Sequence, residues 1–507
     1  MTRTHHASES RRLPKRLAIV VLALVGALAL ALLGLHRSAT ALPLYAARAG
    51  RTCDNCHSDP SYWKNPELKW RKCNLSCMGC HVNPGGGGLR TASGRYYARA
   101  TLPIWLSSHR PWKDIKRGIP FITMNEKTKR KNYKPDLGFG KPLLGDARMA
   151  YKRSRYNGIN SNPIFLFGLD TRYAFWKVGA SAGADRPESL TGDSTFAAFP
   201  MQLDVHVMLR PVKYFTLMTT AGALAKYKGY KETFERRTPF MVKDVFAMVH
   251  QLPYMAYARV GRFIPIFGTY GDDHTSPVRR FNELDQGRLH SRVTGVEIGI
   301  APNYPFAHVS FFRPSQRDVF SGDDTDNDSD PSFLGTGWGA AFSAGWRDLG
   351  WQVGISGMIK RRDLTEGGNY DGFALSWAFN PWFFADWLPL TYLGELTVGR
   401  HQRQISGSHQ GFLAQMHELD FLVRNGVNLR IKYDFGDPDF DVTGDHYHRL
   451  GFGGDLYFLP GLAFRYEVRW QINPGEGTWP DPADPTNILS AGRSNTVDFF
   501  FFFRGWY

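Results

Sequence analysis

No cysteine precedes Cys53 or follows Cys80 in this chain of 507 residues, so no disulfide framework is spread over the fold. Beyond the first 35 residues no apolar run approaches the ~18 residues that a membrane-spanning helix needs. No nucleic-acid recognition motif accompanies the formal charge of +16, and nucleic acid is not read as a partner. The glycine run Asn83-Pro84-Gly85-Gly86-Gly87-Gly88 lacks the Lys-Ser/Thr pair that completes a phosphate loop.

What is present points to a membrane barrel behind a small exported domain. Aromatics make up 14% of the chain (36 Phe, 22 Tyr and 14 Trp), beside 52 Gly. That mix suits strands edged by aromatic girdles better than it suits helices. Arg11, Arg12, Lys15 and Arg16 precede an apolar run from Leu17 to Leu35, and Ala39-Thr40-Ala41 follows as a small-residue cleavage site. Residues 1–41 are therefore read as a signal peptide, against the alternative of an uncleaved inner-membrane anchor. This leader carries six Lys/Arg and one Glu, so part of the basic excess leaves with it. Further basic charge clusters at Lys127, Lys129, Arg130, Lys131 and Lys134, in a segment 121–147 read as a linker. It is either a solvated connection or a docking patch for an acidic electron-transfer partner or lipid headgroups.

All five cysteines fall between Cys53 and Cys80, and four form two runs. Cys53-Asp54-Asn55-Cys56-His57 and Cys77-Met78-Gly79-Cys80-His81 are each C-x-x-C-H, the attachment signature of c-type haem. Two thiols add to the two vinyl groups of one porphyrin, and the adjacent imidazole ligates its iron. Without the histidines the same spacing reads as a zinc ribbon, and in an oxidising compartment as two disulfides. A histidine directly after both pairs, behind a signal peptide, favours two covalently bound haem c groups in a domain spanning 42–120. Cys73 is left over, and is read as a buried spectator. The glycine run after the second motif is read as a turn that lets backbone approach the haem. His109 is the first candidate for a distal ligand, with His57 and His81 on the two irons as proximal ligands.

From about residue 148 the chain alternates polar and apolar side chains in segments of strand length, up to residue 507. Val427-Asn428-Leu429-Arg430-Ile431-Lys432-Tyr433-Asp434-Phe435 places Asn, Arg, Lys and Asp on one face. Phe464 to Gln471, Trp351 to Ser356 and Gln202 to Val207 repeat the pattern. Alternation alone suits a soluble sandwich or a membrane barrel equally. Tight turns at Arg210-Pro211, Leu252-Pro253, Ala301-Pro302-Asn303, Arg347-Asp348, Asn425-Gly426 and Leu459-Pro460 alternate with longer polar loops. That is the asymmetry of outer-membrane barrels. The predicted fold is mainly β: a transmembrane barrel of about 16–18 antiparallel strands with a small N-terminal α/loop dihaem domain.

Parity turns His206 inward, sharing a face with Gln202 and Asp204, and likewise His308 with Ser310. Both, with His250, fall near tight turns, as pore-lining residues or as haem ligands from the wall. A long loop after Phe263 holds Asp272, Asp273 and His274, read as an inward constriction, a metal site or plain loop chemistry. Asp324, Asp326 and Asp328 are spaced like calcium ligands, but the glycine and distal Glu of such a loop are missing.

Two haem motifs ahead of a barrel ending Asp498-Phe499-Phe500-Phe501-Phe502-Phe503-Arg504-Gly505-Trp506-Tyr507 give the chain a family likeness. It resembles the fused cytochrome–porins, which include bacterial outer-membrane iron oxidases. It is also similar in logic to the porin–cytochrome conduits of metal-reducing bacteria. The iron oxidases typically carry one haem motif where this chain has two. The resemblance implies electron transfer across the outer membrane, with ferrous iron oxidation or metal reduction at its outer end. It implies as partners outer-membrane lipid, periplasmic cytochromes or other redox carriers, and extracellular cytochromes or metal ions. The haem domain is expected on the periplasmic side or inside the lumen. The alternative is a solute porin whose haem domain gates or senses.

Overall fold

The computed structural model describes residues 77–79, 81–91, 123–125, 130–132, 164–178, 196–212, 214–224, 240–269, 273, 276–284, 291–302, 304–315, 337–347 and 350–363. It further describes 368–381, 388, 390–402, 408–424, 427–442, 446–459, 461–472, 478–480, 488–490 and 496–506. Sixteen strands close into one antiparallel barrel. They are β1 (Phe165–Val178), β2 (Phe196–Val212), β3 (Phe215–Leu224), β4 (Phe240–Leu252), β5 (Ala256–Phe263), β6 (Val293–Ile300), β7 (Pro305–Pro314) and β8 (Trp338–Arg347). The circuit continues through β9 (Trp351–Arg361), β10 (Tyr370–Phe379), β11 (Leu390–Gln402), β12 (His409–Arg424), β13 (Val427–Asp437), β14 (Tyr447–Leu459), β15 (Leu462–Ile472) and β16 (Thr496–Trp506). β16 returns to β1, pairing Phe501 with Phe175 and Trp506 with Asp170. Every strand thus has two neighbours and no edge is left open, the condition for a sheet in hydrocarbon. Two short strand pairs lie outside this circuit, Thr123–Asn125 with Arg130–Asn132 and Thr478–Pro480 with Ile488–Ser490.

The two faces settle what alternation alone left open. On β13, Asn428, Arg430, Lys432 and Asp434 are buried, while Leu429 and Ile431 are 42% and 48% exposed. The same inversion recurs on β6, where Glu297 is buried and Val296 and Ile298 are exposed, and on β7 with Ser310 and Phe311. A soluble sandwich hides its apolar face, whereas this barrel turns it outward and keeps its charges within, as a lipid-facing wall must. The fold is a closed antiparallel barrel with its apolar face outward. Ile431→Lys is expected to cost about 2–4 kcal/mol if this position lies near the bilayer midplane. The check is a denaturant titration of folding into vesicles, with the inward Lys432→Met as the comparison.

Six connections at one end are the six tight turns read from the sequence, from the β2–β3 link to the β14–β15 link. The seventh, between β10 and β11, is longer and had no local turn signal. The loops at the opposite end are longer, and the one between β5 and β6 folds back into the lumen. Gly261 prepares its departure: its φ is +136°, and a β-carbon there would meet the Val245 carbonyl oxygen at 2.2 Å. Only glycine allows β5 to lie this close to β4.

The returning loop docks on the far wall. The backbone N–H of Thr269 donates to Glu395 on β11 at 2.5 Å, and Asn282 donates to Thr397 at 2.9 Å. A short helix, α1 (Pro277–Arg280), precedes Glu283, which takes Lys360 at 2.7 Å and Arg362 at 2.9 Å. Arg279 braces the loop internally by donating to the carbonyls of Phe267, Thr269 and Leu284. Among the described residues no helix is long and apolar enough to cross a membrane.

Candidate functional site

The second C-x-x-C-H motif lies inside the barrel. Cys77–Gly79 forms one 3₁₀ turn, and the His81 N–H donates to the Cys77 carbonyl at 2.8 Å. The chain then doubles back, with the Val82 N–H donating to the Leu89 carbonyl and a bridge between His81 and Arg90. Met78, Val82 and Leu89 are buried, in one apolar cluster with Met208, Met218, Phe246, Met248, Tyr257 and Phe263 of the wall. That cluster continues through Phe267 and Leu284 of the returning loop to Met358, Tyr370 and Phe412 opposite. An apolar bridge therefore crosses the lumen, from the inserted segment through the loop to the far wall.

Polar contacts fix the segment in place. Arg259 donates to the Asn83 side chain at 3.0 Å and forms a fully buried pair with Glu297 at 2.7 Å. Its guanidinium lies 4.0 Å from the Phe263 ring centroid. Glu297 also accepts from Tyr257 at 2.7 Å and from Ser310 at 2.8 Å. Arg90 stacks on Trp506, the last residue of β16, which places the segment in the short-turn half of the lumen. Arg259→Ala leaves Glu297 buried without its cation, a change costing about 3–5 kcal/mol. The expected outcome is easier proteolysis within residues 77–91 of a barrel that still folds, read by limited digestion and mass spectrometry.

The geometry of His81 suits a metal-ligating imidazole. Its Nδ1–H donates to the Gly87 carbonyl at 3.0 Å. A carbonyl can only accept, so the proton sits on Nδ1 and the lone pair on Nε2. Burial, and then the charge of Arg90, pushes the ring's pKa down to about 3, so the imidazole is neutral. The positive φ angles of Gly86, Gly87 and Gly88 fold the turn that brings this carbonyl round. Cys77 and His81 are thus joined across one backbone turn.

Around this segment the wall presents three buried histidines. His206 on β2 is held by Thr220, with Nδ1 to Oγ1 at 2.9 Å, and its Nε2 has no hydrogen-bond partner among the described residues. His250 on β4 is held through Nε2 by Thr216 at 2.8 Å. His308 on β7 bonds Tyr257 through Nδ1 at 2.9 Å. All three face the lumen near short turns, as parity implied for the first and third.

Asp273 ends in the lumen, ion-paired to Lys432 on β13 and near Arg469 on β15. Burial works against its charge, yet Lys432, Arg469 and Arg449 hold its pKa well below the usual carboxylate range. Of the three readings of this loop, inward folding is the one its position matches. Among the described residues no group of three or more His, Cys, Asp or Glu is placed to hold a metal ion. Asp272, His274, the calcium-like Asp324, Asp326 and Asp328, and Cys53, Cys56, His57, Cys73, Cys80 and His109 lie outside the described residues. Sequence reasoning missed Arg259, Glu297, Tyr257 and Glu283. Alternation marks the strand residues Arg259, Glu297 and Tyr257 as inward-facing but does not distinguish them from other lumen groups, and Glu283 lies in the loop, where no alternation applies.

No protein-family profile matches the chain, and no curated protein sequence does. Solved structures do. An anion-selective porin from Comamonas acidovorans is similar at 12% identity and a TM-score of 0.44, over 68% of this chain and 99% of that one. OmpF of Salmonella typhi, in complex with daunomycin, is similar at 10% identity and a TM-score of 0.46, over 68% and 97%. The outer-membrane channel DcaP of Acinetobacter baumannii is similar at 10% identity and 0.43, over 67% and 96%. Each likeness is one of fold.

Proposed function

We propose that this chain carries electrons across the bacterial outer membrane, through haem c groups attached at its two C-x-x-C-H motifs and sheathed by the barrel. The observation that carries the reading is the position of the second motif. Met78 and Val82 are fully buried within the lumen, and His81 keeps Nε2 as its ligand atom. Cys77 and Cys80 would hold the porphyrin edge through thioether bonds, and His81 the iron. Haem bound there would supply one-electron exchange between ferrous and ferric states.

The chain's own residues do the rest. Arg259, Glu297 and Asn83 hold the attachment turn against the wall. The apolar cluster from Met208 to Phe412 excludes water and keeps the site at low dielectric. The lipid-facing wall insulates the path through a hydrocarbon layer of about 30 Å. Periplasmic cytochromes or other carriers would exchange electrons at the short-turn mouth, and cytochromes or metal ions at the other. An open solute pore with a haem gate fits less well, because the apolar bridge occupies the space that solute would need.

The test is electron transfer in proteoliposomes, with an impermeant redox dye inside and a membrane-impermeant reductant outside. Haem-loaded protein should reduce the enclosed dye while passing little salt. Free salt passage without dye reduction would replace this reading with the solute pore.

A further inference from the structure

We infer that His206, on the inner wall of the barrel, supplies the second axial ligand to the haem attached at Cys77, Cys80 and His81. The inference rests on the electron-transfer reading above and adds to it a ligand that the attachment motif does not contain.

Three observations converge. First, His206 is 4% exposed and its Nε2 is buried without a hydrogen-bond partner. A buried imidazole nitrogen left unsatisfied is costly and calls for a partner. Second, Thr220 holds the other ring nitrogen at 2.9 Å. When Nδ1 donates to that hydroxyl, the lone pair falls on Nε2, the same arrangement that the Gly87 carbonyl imposes on His81. Third, the two histidines flank one turn. Gly87 accepts from His81, and a β-carbon built on the next residue, Gly88, lies 3.7 Å from Cε1 of His206. Cε1 lies between the two ring nitrogens, so this contact sets the imidazole of His206 against the attachment turn.

The other wall histidines are placed less well. His308 is bonded to Tyr257 and stacked on Phe306, contacts made within the wall, whereas the ring of His206 lies against Gly88 of the inserted segment. His250 also keeps one ring nitrogen, Nδ1, without a hydrogen-bond partner among the described residues, but its Nε2 and backbone N–H are tied to Thr216 and Tyr214 within the wall. His206 also has a local reason to sit where it does. Asp204, two residues earlier on the same face, is paired with Lys243 and Gln202, which leaves His206 to face the inserted segment.

The experiment uses the full chain, purified in detergent with its haem. Haem content is counted first by pyridine haemochrome, and coordination is then read by electron paramagnetic resonance and resonance Raman spectroscopy. In His206→Ala the haem count should equal that of the unaltered chain. One haem should pass from six-coordinate low-spin to high-spin, and added imidazole should return it to low-spin. His206→Met, which keeps a ligating side chain and barrel packing, should give a histidine–methionine spectrum with a raised potential. Unchanged low-spin signals in both variants, at full haem content, would overturn the assignment and place the ligand elsewhere. Absence of haem from the unaltered chain would instead overturn the reading on which the assignment rests.

Discussion

With haem attached at both motifs as proposed, replacing Cys77 and Cys80 together with serine should halve the covalently bound haem and leave the barrel folded. The expectation follows from how the segment is held. Its contacts with the wall run through Asn83, Arg90 and the apolar side chains Met78, Val82 and Leu89, none of which is altered. The attachment chemistry runs through the two thiols alone. Haem counting on the purified double variant should give half the value of the unaltered chain, and the heat-dependent mobility shift of a folded barrel should persist. Three outcomes separate the chemistries that the cysteine spacing admits. Half the haem supports attachment at this motif. Zinc in the unaltered chain with no haem in either protein returns the zinc-ribbon reading. No cofactor at all, with oxidised thiols, returns the disulfides.

The side-chain consequences should differ between the two partners of the motif. Removing the thiols breaks covalent attachment, whereas His81→Ala removes only the proximal ligand and the hydrogen bond to Gly87.

Much of the barrel was legible because a strand pattern is local. Alternation on β13 named its lumen face correctly residue by residue, and proline or glycine marked five of the six tight turns, Arg347-Asp348 being the exception. The closing strand was legible from Phe499 to Phe503, though Phe500 and Phe502 turn out to be buried while Phe503 faces out. The interior was not legible, because it is built by contacts between distant residues. Asn83 meets Arg259 across 176 positions of sequence, and Asn282 meets Thr397 across 115. No periodicity within a segment encodes such a meeting. The histidines lie between these cases. Parity put His206 in the lumen, but only the fold shows that its Nε2 lacks a partner and that Gly88 stands beside it.

The full-length protein should be nearly silent in a planar bilayer, although a sixteen-stranded barrel is wide enough to leave an aqueous channel. The lumen is crossed by two elements that reach it from different parts of the chain, the segment 77–91 and the loop 264–284, and they meet where Ile266 packs against Gly85. Where their apolar surfaces meet, an ion would have to shed its water, and stripping water from an ion costs far more than an open pore demands. Glu283 is the weak point of this arrangement. It is buried between Lys360 and Arg362, so Glu283→Ala leaves two cations facing each other across the position it held. Breaking a buried network of this kind costs about 3–5 kcal/mol, comparable with what a few loop contacts contribute. The loop should detach intermittently from β9 to β11, and the variant should show brief conducting events absent from the unaltered protein. Steady conductance of open-pore size in the unaltered protein would show that the apolar bridge does not close the lumen. Silence in both proteins would mean that the inserted segment closes the lumen without the loop, and would leave the seal to the residues around Met78.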